Sequence, residues 1–311
     1  MPWKTGYTIS DERTIADADV HWPGDTRMCL TVVVDFGPDC GPDGITAADL
    51  STPDHHYAMH GGLNALRRIF DAYGIRATFA TSGVIAEIYP ETLQSLSADG
   101  HEIAGNGYLR EDASTLSTAT ELSRIRRTVL AVESATSVRP RGWYALPRAG
   151  DKFAVGAVSD HTVNHILDQG FTYFGNSSAD DLPHYWITDP DLKRGILAMP
   201  YHYAFDDQFF LLFPSCGTGL ENADTLARNW TGELRAQYRR GRSTTIVVHP
   251  NSIAWPHRLY VLEEFLASAT RLPGVWNATA GACADYWTRH HRLDDIVIKS
   301  SIWTHYDDSL N

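Results

Sequence analysis

Short apolar runs rich in β-branched residues alternate with helical patterns along this chain, and this alternation limits its possible folds more than any other feature. The clearest run, residues 30–34 (LTVVV), predicts a buried strand that leads directly to Asp35. Residues 63–73 have apolar side chains at helical spacing and precede Gly74, which predicts a helix with a glycine C-cap. Strands that alternate with helices favour a parallel sheet or barrel.

The same patterns predict the remaining elements and the domain organisation. Further strands are predicted at residues 77–80, 101–104, 139–147, 171–174, 196–199, 245–249 and 275–279, and further helices at 87–98 and 116–134. No repeat or linker divides the chain, and 311 residues, 43% of them hydrophobic, can bury one large core. We expect one domain over residues 21–292, an N-terminal extension over 1–20 and a C-terminal tail over 293–311.

Composition excludes several classes of partner. The formal net charge of −12 argues against binding to a phosphate backbone, since nucleic-acid-binding proteins usually present a basic face. Four separated cysteines without a Cys-x-x-Cys pair argue against a zinc knuckle or a disulfide framework. The N-terminus lacks the pattern of a signal peptide, and no run of eighteen apolar residues is present. We therefore expect a cytoplasmic protein that acts on a small molecule, without membrane or nucleic-acid partners.

Several motifs occur in an order that resembles the polysaccharide deacetylase (NodB homology) superfamily. They are Trp22-Pro23-Gly24, the strand ending at Asp35, GIRATFA (74–80), GHEIAGNGY (100–108), RPRGWY (139–144), NSSADDLPHYW (176–186) and VVHPNSIAWPHRLYVLEEFL (247–266). Within this superfamily, the chain is most similar to the branch that contains allantoinase-like proteins, cyclic imide hydrolases and certain peptidoglycan deacetylase-like proteins. The resemblance implies an α/β fold, a distorted (β/α) barrel of about seven strands with its site at their C-terminal ends. It also implies a homotetramer.

The chain departs from this family at the metal-binding positions. The family's catalytic base matches Asp35, whereas its three metal ligands match Gly37 or a neighbour, Asn106 and Arg110. An amide oxygen is a weak ligand, and a guanidinium is a fixed cation that repels a metal ion. We therefore expect no catalytic cofactor.

A divalent metal such as zinc stays open as an alternative if ligands have shifted to neighbouring positions. The register after Asp35 is uncertain by two or three residues, so Asp39, Glu102 or Asp112 could take over. Without a metal, the chemistry is constrained, because bound zinc lowers the pKa of its water from 15.7 to about 7. One oxyanion donor supplies only about 3–4 kcal/mol. An activated cyclic amide, imide or ureide is then a more plausible substrate than an acetamide.

Three residues are the candidates for catalysis. Asp35 ends a buried strand beside a Gly/Pro-rich loop and is predicted to be the general base. His249 ends the apolar run TIVV and is predicted to protonate the leaving nitrogen. Arg110 either replaces the positive charge of the metal by holding the substrate carbonyl, or forms an ion pair with Asp35.

Four further residues are candidates for substrate binding. Asn106 either orients water or a ring amide, or is a structural amide in a loop. Trp143 and Tyr144 fall within the motif that corresponds to the family's substrate wall and could flank a planar ring, although aromatic residues also fill cores. Tyr108, in the GNGY segment, is assigned to the same pocket.

Other polar clusters are expected to have mainly structural roles. Asp180 and Asp181 are expected to support the barrel mouth by hydrogen bonding. Asp206–Asp207 precede two phenylalanines in a loop that could close over substrate. His55, His56 and His60 are expected to lie in a solvated loop, with a metal site at a subunit contact as the alternative.

The predicted function is hydrolysis of a non-peptide carbon–nitrogen bond. The first hypothesis is a metal-independent cyclic amidase that opens a ring by Asp-assisted attack of water. One alternative is a metal-dependent polysaccharide or peptidoglycan deacetylase with rearranged ligands. The other is a non-catalytic binding protein on a decayed barrel.

Overall fold

A curled sheet of ten strands forms the centre of the fold in the computed structural model, which describes residues 8–9, 15–148, 151, 156–189, 191–211 and 223–296. The strands are β1 (Thr8–Ile9), β2 (Met28–Phe36), β3 (Thr78–Thr81), β4 (Glu102–Gly105), β5 (Gly142–Trp143), β6 (Tyr173–Ser177), β7 (His184–Asp189), β8 (Arg194–Pro200), β9 (Ser243–Val248) and β10 (Val275–Ala278). Most of the predicted C-terminal tail lies outside the described residues.

Eight of these strands run parallel and curl into a half-barrel. The order is β9-β2-β3-β4-β5-β6-β8, and β10 pairs with the first half of β2 on the same edge that β3 uses for the second half. Two antiparallel strands, β7 and then β1, extend the sheet beyond β8. The predicted distorted barrel is confirmed, and the antiparallel pair was not predicted.

Helices cover the outside of this sheet, except for α11 (Ala280–His290), which packs against its concave inner face. They are α1 (Ala47–Leu50), α2 (Pro53–Tyr57), α3 (Leu63–Tyr73), α4 (Gly83–Ile88), α5 (Pro90–Ala98), α6 (Thr118–Thr136), α7 (Thr162–Asp168), α8 (Gln208–Leu211), α9 (Ala223–Arg240), α10 (Pro256–Arg271) and α11 (Ala280–His290), with a π-helical turn at Ala58–Gly62. No helix of the described residues is long and apolar enough to cross a bilayer.

Local sequence signals account for several of these boundaries. The prediction for α3 is confirmed, and Gly74 ends it in the left-handed conformation at φ 62°. The helix predicted over 87–98 is confirmed for Pro90–Ala98, but residues 87 and 88 belong to the separate helix α4. Pro90, which has no backbone N–H, starts a second helix instead of continuing the first. The strand predicted over 139–147 is reduced to Gly142–Trp143.

Alternation along β2 separates the two sides of the sheet. Leu30, Val32 and Val34 pack against the helices, whereas Cys29 and Val33 pack inside the barrel. Because side chains alternate along a strand, the interior set continues to Asp35 at the C-terminal end. The same period along β9 takes Val247 into the interior and His249 to the barrel mouth. The alternation of side chains along β2 and β9 therefore directs both Asp35 and His249 to the C-terminal end of the barrel.

The predicted extension packs on the barrel through the part of it that is described. β1 pairs with β7, and Asp17 forms ion pairs with Arg240 and Arg242. Arg242 also pairs with Asp181, so the Asp180–Asp181 segment supports the wall of the barrel near the start of β9 rather than the catalytic end. The two carboxylates are therefore structural, as expected, but the expectation that they support the barrel mouth is wrong, because Arg242 and Ser243 lie at the opposite end of β9.

Candidate active site

Asp35 and His249 meet at the C-terminal end of the barrel. β2 and β9 are parallel neighbours with Val34 opposite Val248, so the next residues of both strands face each other. His249 Nε2 lies 3.2 Å from Asp35 Oδ2, and each residue is only 2% exposed. The two residues predicted to act as base and acid are therefore within hydrogen-bond distance of each other.

Arg110 forms a buried ion pair with Asp35. Its NH2 group donates to Asp35 Oδ2 and to Pro147 O (2.9 Å), and its NH1 group donates to Pro38 O at 3.3 Å. The structure thus supports the ion-pair alternative for Arg110. Its Nε is buried and has no hydrogen-bond partner within the described residues, so one donor of the guanidinium stays available.

The backbone at Arg110 is strained. Its φ is 59°, in the left-handed region that non-glycine residues rarely occupy, and a conformation of this kind costs on the order of 1–3 kcal/mol. Neighbouring contacts hold it there, because Arg148 NH1 donates to the Arg110 carbonyl at 3.2 Å. Strain of this type persists where surrounding structure fixes it, and it is concentrated at functional sites.

Asn106 joins the same carboxylate from the end of β4. Its Nδ2 donates to Asp35 Oδ1 at 3.3 Å, and its Oδ1 accepts from the backbone N–H of Leu146 at 3.2 Å. The amide is therefore used on both sides, with one bond to the site and one to the next strand connection. Both roles proposed for Asn106, site residue and structural amide, are compatible with these bonds.

Asp207 was not predicted as a partner of His249, yet it is the residue that orients the imidazole. Asp207 Oδ1 lies 2.6 Å from His249 Nδ1, and its Oδ2 accepts from the His249 backbone N–H at 3.2 Å. The contact arises because the segment after β8 forms a parallel bridge from Asp206 to Val247, across the gap between β8 and β9. In the sequence, this contact is indicated only by the occurrence of two adjacent carboxylates, Asp206 and Asp207, next to apolar residues.

The ionisation of the site follows from these contacts. Burial favours a higher pKa for Asp35, but the Arg110 charge and the His249 hydrogen bond outweigh it, so the pKa is lowered. Burial opposes a charge on His249, yet the Asp207 and Asp206 carboxylates raise its pKa well above 6.5. Burial raises the pKa of Asp206 to about 6. At neutral pH the centre is a carboxylate between two cations.

The residues at the family's metal positions do not fit a metal ion. The Arg110 guanidinium contacts the carboxylate that would adjoin the ion, and the Asn106 Nδ2 donor, not an oxygen, faces Asp35. The N–H donors of a guanidinium and of an amide have no lone pair with which to coordinate a cation. Of the possible substitutes, Asp39 bonds Asn251, and Glu102 accepts from Thr78, Tyr173 and the Gly281 N–H inside the barrel.

A second set of side chains has the spacing needed for a metal. The ligand atoms of Asp206, Asp207 and His249 lie within 4.8 Å of one another. Their hydrogen bonds are already satisfied, however. Asp206 accepts from Tyr201 Oη (2.8 Å) and from Gln208 Nε2 (2.9 Å), and the His249 Nδ1 faces Asp207. We interpret this set as an imidazole held by carboxylates.

The three predicted aromatic residues share one cavity, but Trp143 and Tyr144 pack on opposite faces of the sheet. All contribute to the lining of a cavity of about 40 Å³ beside Arg110 and Asn106. Trp143, however, packs edge-on against Phe171 (5.3 Å) between the sheet and the helices, whereas Tyr144 packs in the barrel interior. The Tyr108 hydroxyl donates to Glu87 at 2.9 Å. Adjacent strand residues face opposite sides, so Trp143 and Tyr144 cannot sandwich a single ring.

Comparison with known proteins supports the assignment of this fold. The polysaccharide deacetylase family model matches residues 52–174, a range that includes Asn106 and Arg110 but neither Asp35 nor His249. The crystal structure of a probable polysaccharide deacetylase from Pseudomonas aeruginosa PAO1 superposes with a TM-score of 0.75 at 22% identity. The alignment covers 90% of this chain and 96% of that one. The chain has the polysaccharide deacetylase fold.

Two further comparisons extend this resemblance across the deacetylase fold. A peptidoglycan deacetylase of Helicobacter pylori is 21% identical over 276 residues, which are 80% of this chain and 89% of that protein. The crystal structure of Puue allantoinase has a TM-score of 0.74 at 22% identity, with 90% and 95% of the two chains covered. The resemblance predicted from the motifs is confirmed, and the deacetylase family consists of hydrolases that cleave carbon–nitrogen bonds.

The buried imidazolium predicts a pH-dependent stability. The pKa of His249 in the folded state lies well above the unfolded value of about 6.5. Its stabilising contribution is therefore fully present below pH ~6.5 and is lost as the pH rises through the folded-state pKa. We expect the unfolding free energy of the wild type, minus that of His249→Gln, to decrease above pH ~7 by up to about 1.4 kcal/mol per pH unit.

Chemical denaturation at a series of pH values between about 7 and 9 measures this difference. The range excludes most of the titration of Asp206, whose pKa of about 6 lies below it. A difference that stays constant or grows with pH would show that His249 is neutral in the folded protein.

Proposed function

We propose that this chain is a metal-independent hydrolase that opens a small cyclic amide, imide or ureide at a carbon–nitrogen bond. The proposal places Asp35 as base, His249 as acid and Arg110 as the group that stabilises the oxyanion. Similarity to Puue allantoinase and to the deacetylases supports carbon–nitrogen hydrolysis as the type of reaction. We infer the substrate class from the chemistry of the site.

One observation carries the proposal. Arg110 NH2 binds the carboxylate of Asp35 at the position where the family places a histidine ligand, and the same carboxylate receives His249. The positive charge that a metal would supply is thus present as a guanidinium. A guanidinium polarises a carbonyl by hydrogen bonding but does not generate hydroxide, so the substrate must be electrophilic by itself. Cyclic imides and ureides satisfy this requirement better than an N-acetyl group.

The geometry suggests how one turnover could proceed. Asp35 Oδ1, which accepts only a long bond from Asn106 (3.3 Å), takes a proton from water as the water oxygen attacks the ring carbonyl. Arg110 Nε, which has no partner among the described residues, stabilises the resulting oxyanion. His249 Nε2 gives its proton to the nitrogen as the carbon–nitrogen bond breaks. A proton then returns from Asp35 to His249 across 3.2 Å.

A non-catalytic barrel is the second candidate, and the burial of the site favours it. Asp35 is 2% exposed, and both its oxygens already accept hydrogen bonds from Arg110, Asn106 and His249. Such a network would also stabilise the fold without any turnover. The two candidates differ in whether any ring is opened.

A panel of substrates tests the proposed function. Purified protein is incubated with cyclic imides, hydantoins, ureides and lactams, and with N-acetylglucosamine oligomers, and the products are followed by mass. We expect the addition of one water to at least one imide or ureide and none to the N-acetyl compounds. Release of acetate would instead indicate the deacetylase alternative, and an unchanged panel would favour the non-catalytic barrel.

A further inference from the structure

We propose that His56 and His60 form a surface binding site for a divalent transition-metal ion such as Ni²⁺ or Zn²⁺. The two residues are four apart in the continuous helix that runs from α2 through the π-helical turn into α3, so their side chains lie on the same face. Both are exposed, and their ring centroids are 4.5 Å apart with the planes tilted by 50°. This site is separate from the Asp35 centre.

The separation of the rings matches a shared ion. With imidazole nitrogens about 2.0–2.1 Å from the ion, two coordinating rings have centroids roughly 4.5–5.2 Å apart at octahedral and tetrahedral angles. The observed 4.5 Å lies at the octahedral end of this range. Imidazole is a preferred ligand of nickel, copper and zinc, and the remaining coordination positions are open to water.

A second histidine pair in the chain has a different geometry and provides a comparison. His161 and His165 are also four apart, at the start of α7, but their ring centroids are separated by 5.9 Å. A shared ion would then need an angle of roughly 130° between its nitrogen ligands, outside both regular geometries. His165 is also only partly exposed. The same residue types at the same sequence spacing thus predict a site in one place and none in the other.

Two features of the turn set it apart from an ordinary solvated helix. His55 is 2% exposed, its Nε2 is paired with Tyr89 Oη at 2.9 Å, and its Nδ1 has no partner within the described residues. The same helical turn thus carries a third imidazole, which has a buried nitrogen without a partner among the described residues. The pair also enters a π-helical turn, a rare irregularity that is found frequently at functional sites.

The turn is connected to the loop that follows His249. A Cβ at Gly62 would clash with the carbonyl oxygen of Pro250, so the backbones are in close contact. Tyr57 donates from its hydroxyl to Ala254 O (2.9 Å) and stacks on Trp255 with ring centroids 3.9 Å apart. An ion bound by His56 and His60 would brace the helix on which this loop packs.

Calorimetric titration of the full chain with NiCl₂, after removal of bound metal, tests the proposal. We expect one site that is present in the wild type and in His161→Gln/His165→Gln. We expect His56→Gln and His60→Gln each to weaken it by about 10²-fold or more, because one ligand alone loses the intramolecular second contact. Binding should also disappear near pH 5, where protonated imidazoles cannot coordinate, and MgCl₂ should give no signal.

The single variants change exposed side chains, so the folded protein remains available for the measurement. Wild-type protein that binds no Ni²⁺, or His56→Gln and His60→Gln proteins that bind it as tightly as the wild type does, would overturn the proposal. Loss of binding in His161→Gln/His165→Gln alone would overturn it as well, by placing the ion at the other pair.

Discussion

Replacing Asp35 with asparagine is expected to lower kcat/KM for ring opening by about 10³-fold, with the fold retained. General-base catalysis contributes typically 10²- to 10⁴-fold, and an amide at this position can no longer accept a proton from water. Steady-state kinetics on the substrate identified from the panel measures the change. Circular dichroism and size-exclusion chromatography establish that the variant is folded.

Asp39→Asn is the matched control. This substitution makes the same chemical change four residues away from Asp35. Asp39 is exposed, and its carboxylate accepts a hydrogen bond from Asn251 (3.1 Å) rather than contacting Asp35. We expect it to keep wild-type activity. The reverse pattern, with activity lost in Asp39→Asn and kept in Asp35→Asn, would contradict the assignment of the base and favour a metal held by shifted ligands.

Replacing Arg110 with methionine is expected to lower the free energy of unfolding by about 3–5 kcal/mol. The ion pair with Asp35 is buried, at 5% and 2% exposure of the two side chains, and removal of one partner leaves the other charge without compensation. The pKa of Asp35 should rise at the same time, because the Arg110 charge is the largest of the effects that lower it. Denaturant titration near neutral pH measures the loss of stability.

Two controls separate charge from packing in this experiment. Arg110→Lys keeps the positive charge but cannot reach Pro38 and Pro147 together with Asp35, so a smaller loss is expected. The double variant Arg110→Met/Asp35→Asn removes both charges and should recover part of the stability lost in Arg110→Met. A double variant less stable than the sum of the single changes would contradict a net attraction between the two groups.

The placement of Asp35 and His249 could be predicted from the sequence because it depends on strand period. Each residue directly follows or ends a β-branched run, and parallel strands bring their C-terminal ends to one edge of the barrel. Likewise, α3 was predictable because its apolar spacing and Gly74 determine both its buried face and its end. These features are local, and neighbouring residues are sufficient to determine them.

The remaining site contacts depend on tertiary structure that no short segment encodes. Asp207 reaches His249 only because the segment after β8 bridges the gap to β9, 42 residues away in sequence. Arg110 reaches Asp35 through a backbone conformation with positive φ, which steric clashes disfavour in residues other than glycine. Trp143 lines the cavity beside Arg110 and Asn106, but its packing against Phe171 depends on the pairing of β5 with β4, which the motif does not encode.

The most direct test of metal-independent hydrolysis is to measure ring opening and bound metal in the same samples. Wild-type protein and the His56→Gln/His60→Gln variant are treated with chelator, analysed for metal by mass spectrometry, and assayed before and after zinc, cobalt or manganese is returned. The proposed mechanism predicts the same rate at every metal content in both proteins. A rate that falls to background with metal removal and recovers in proportion to the metal returned would contradict it.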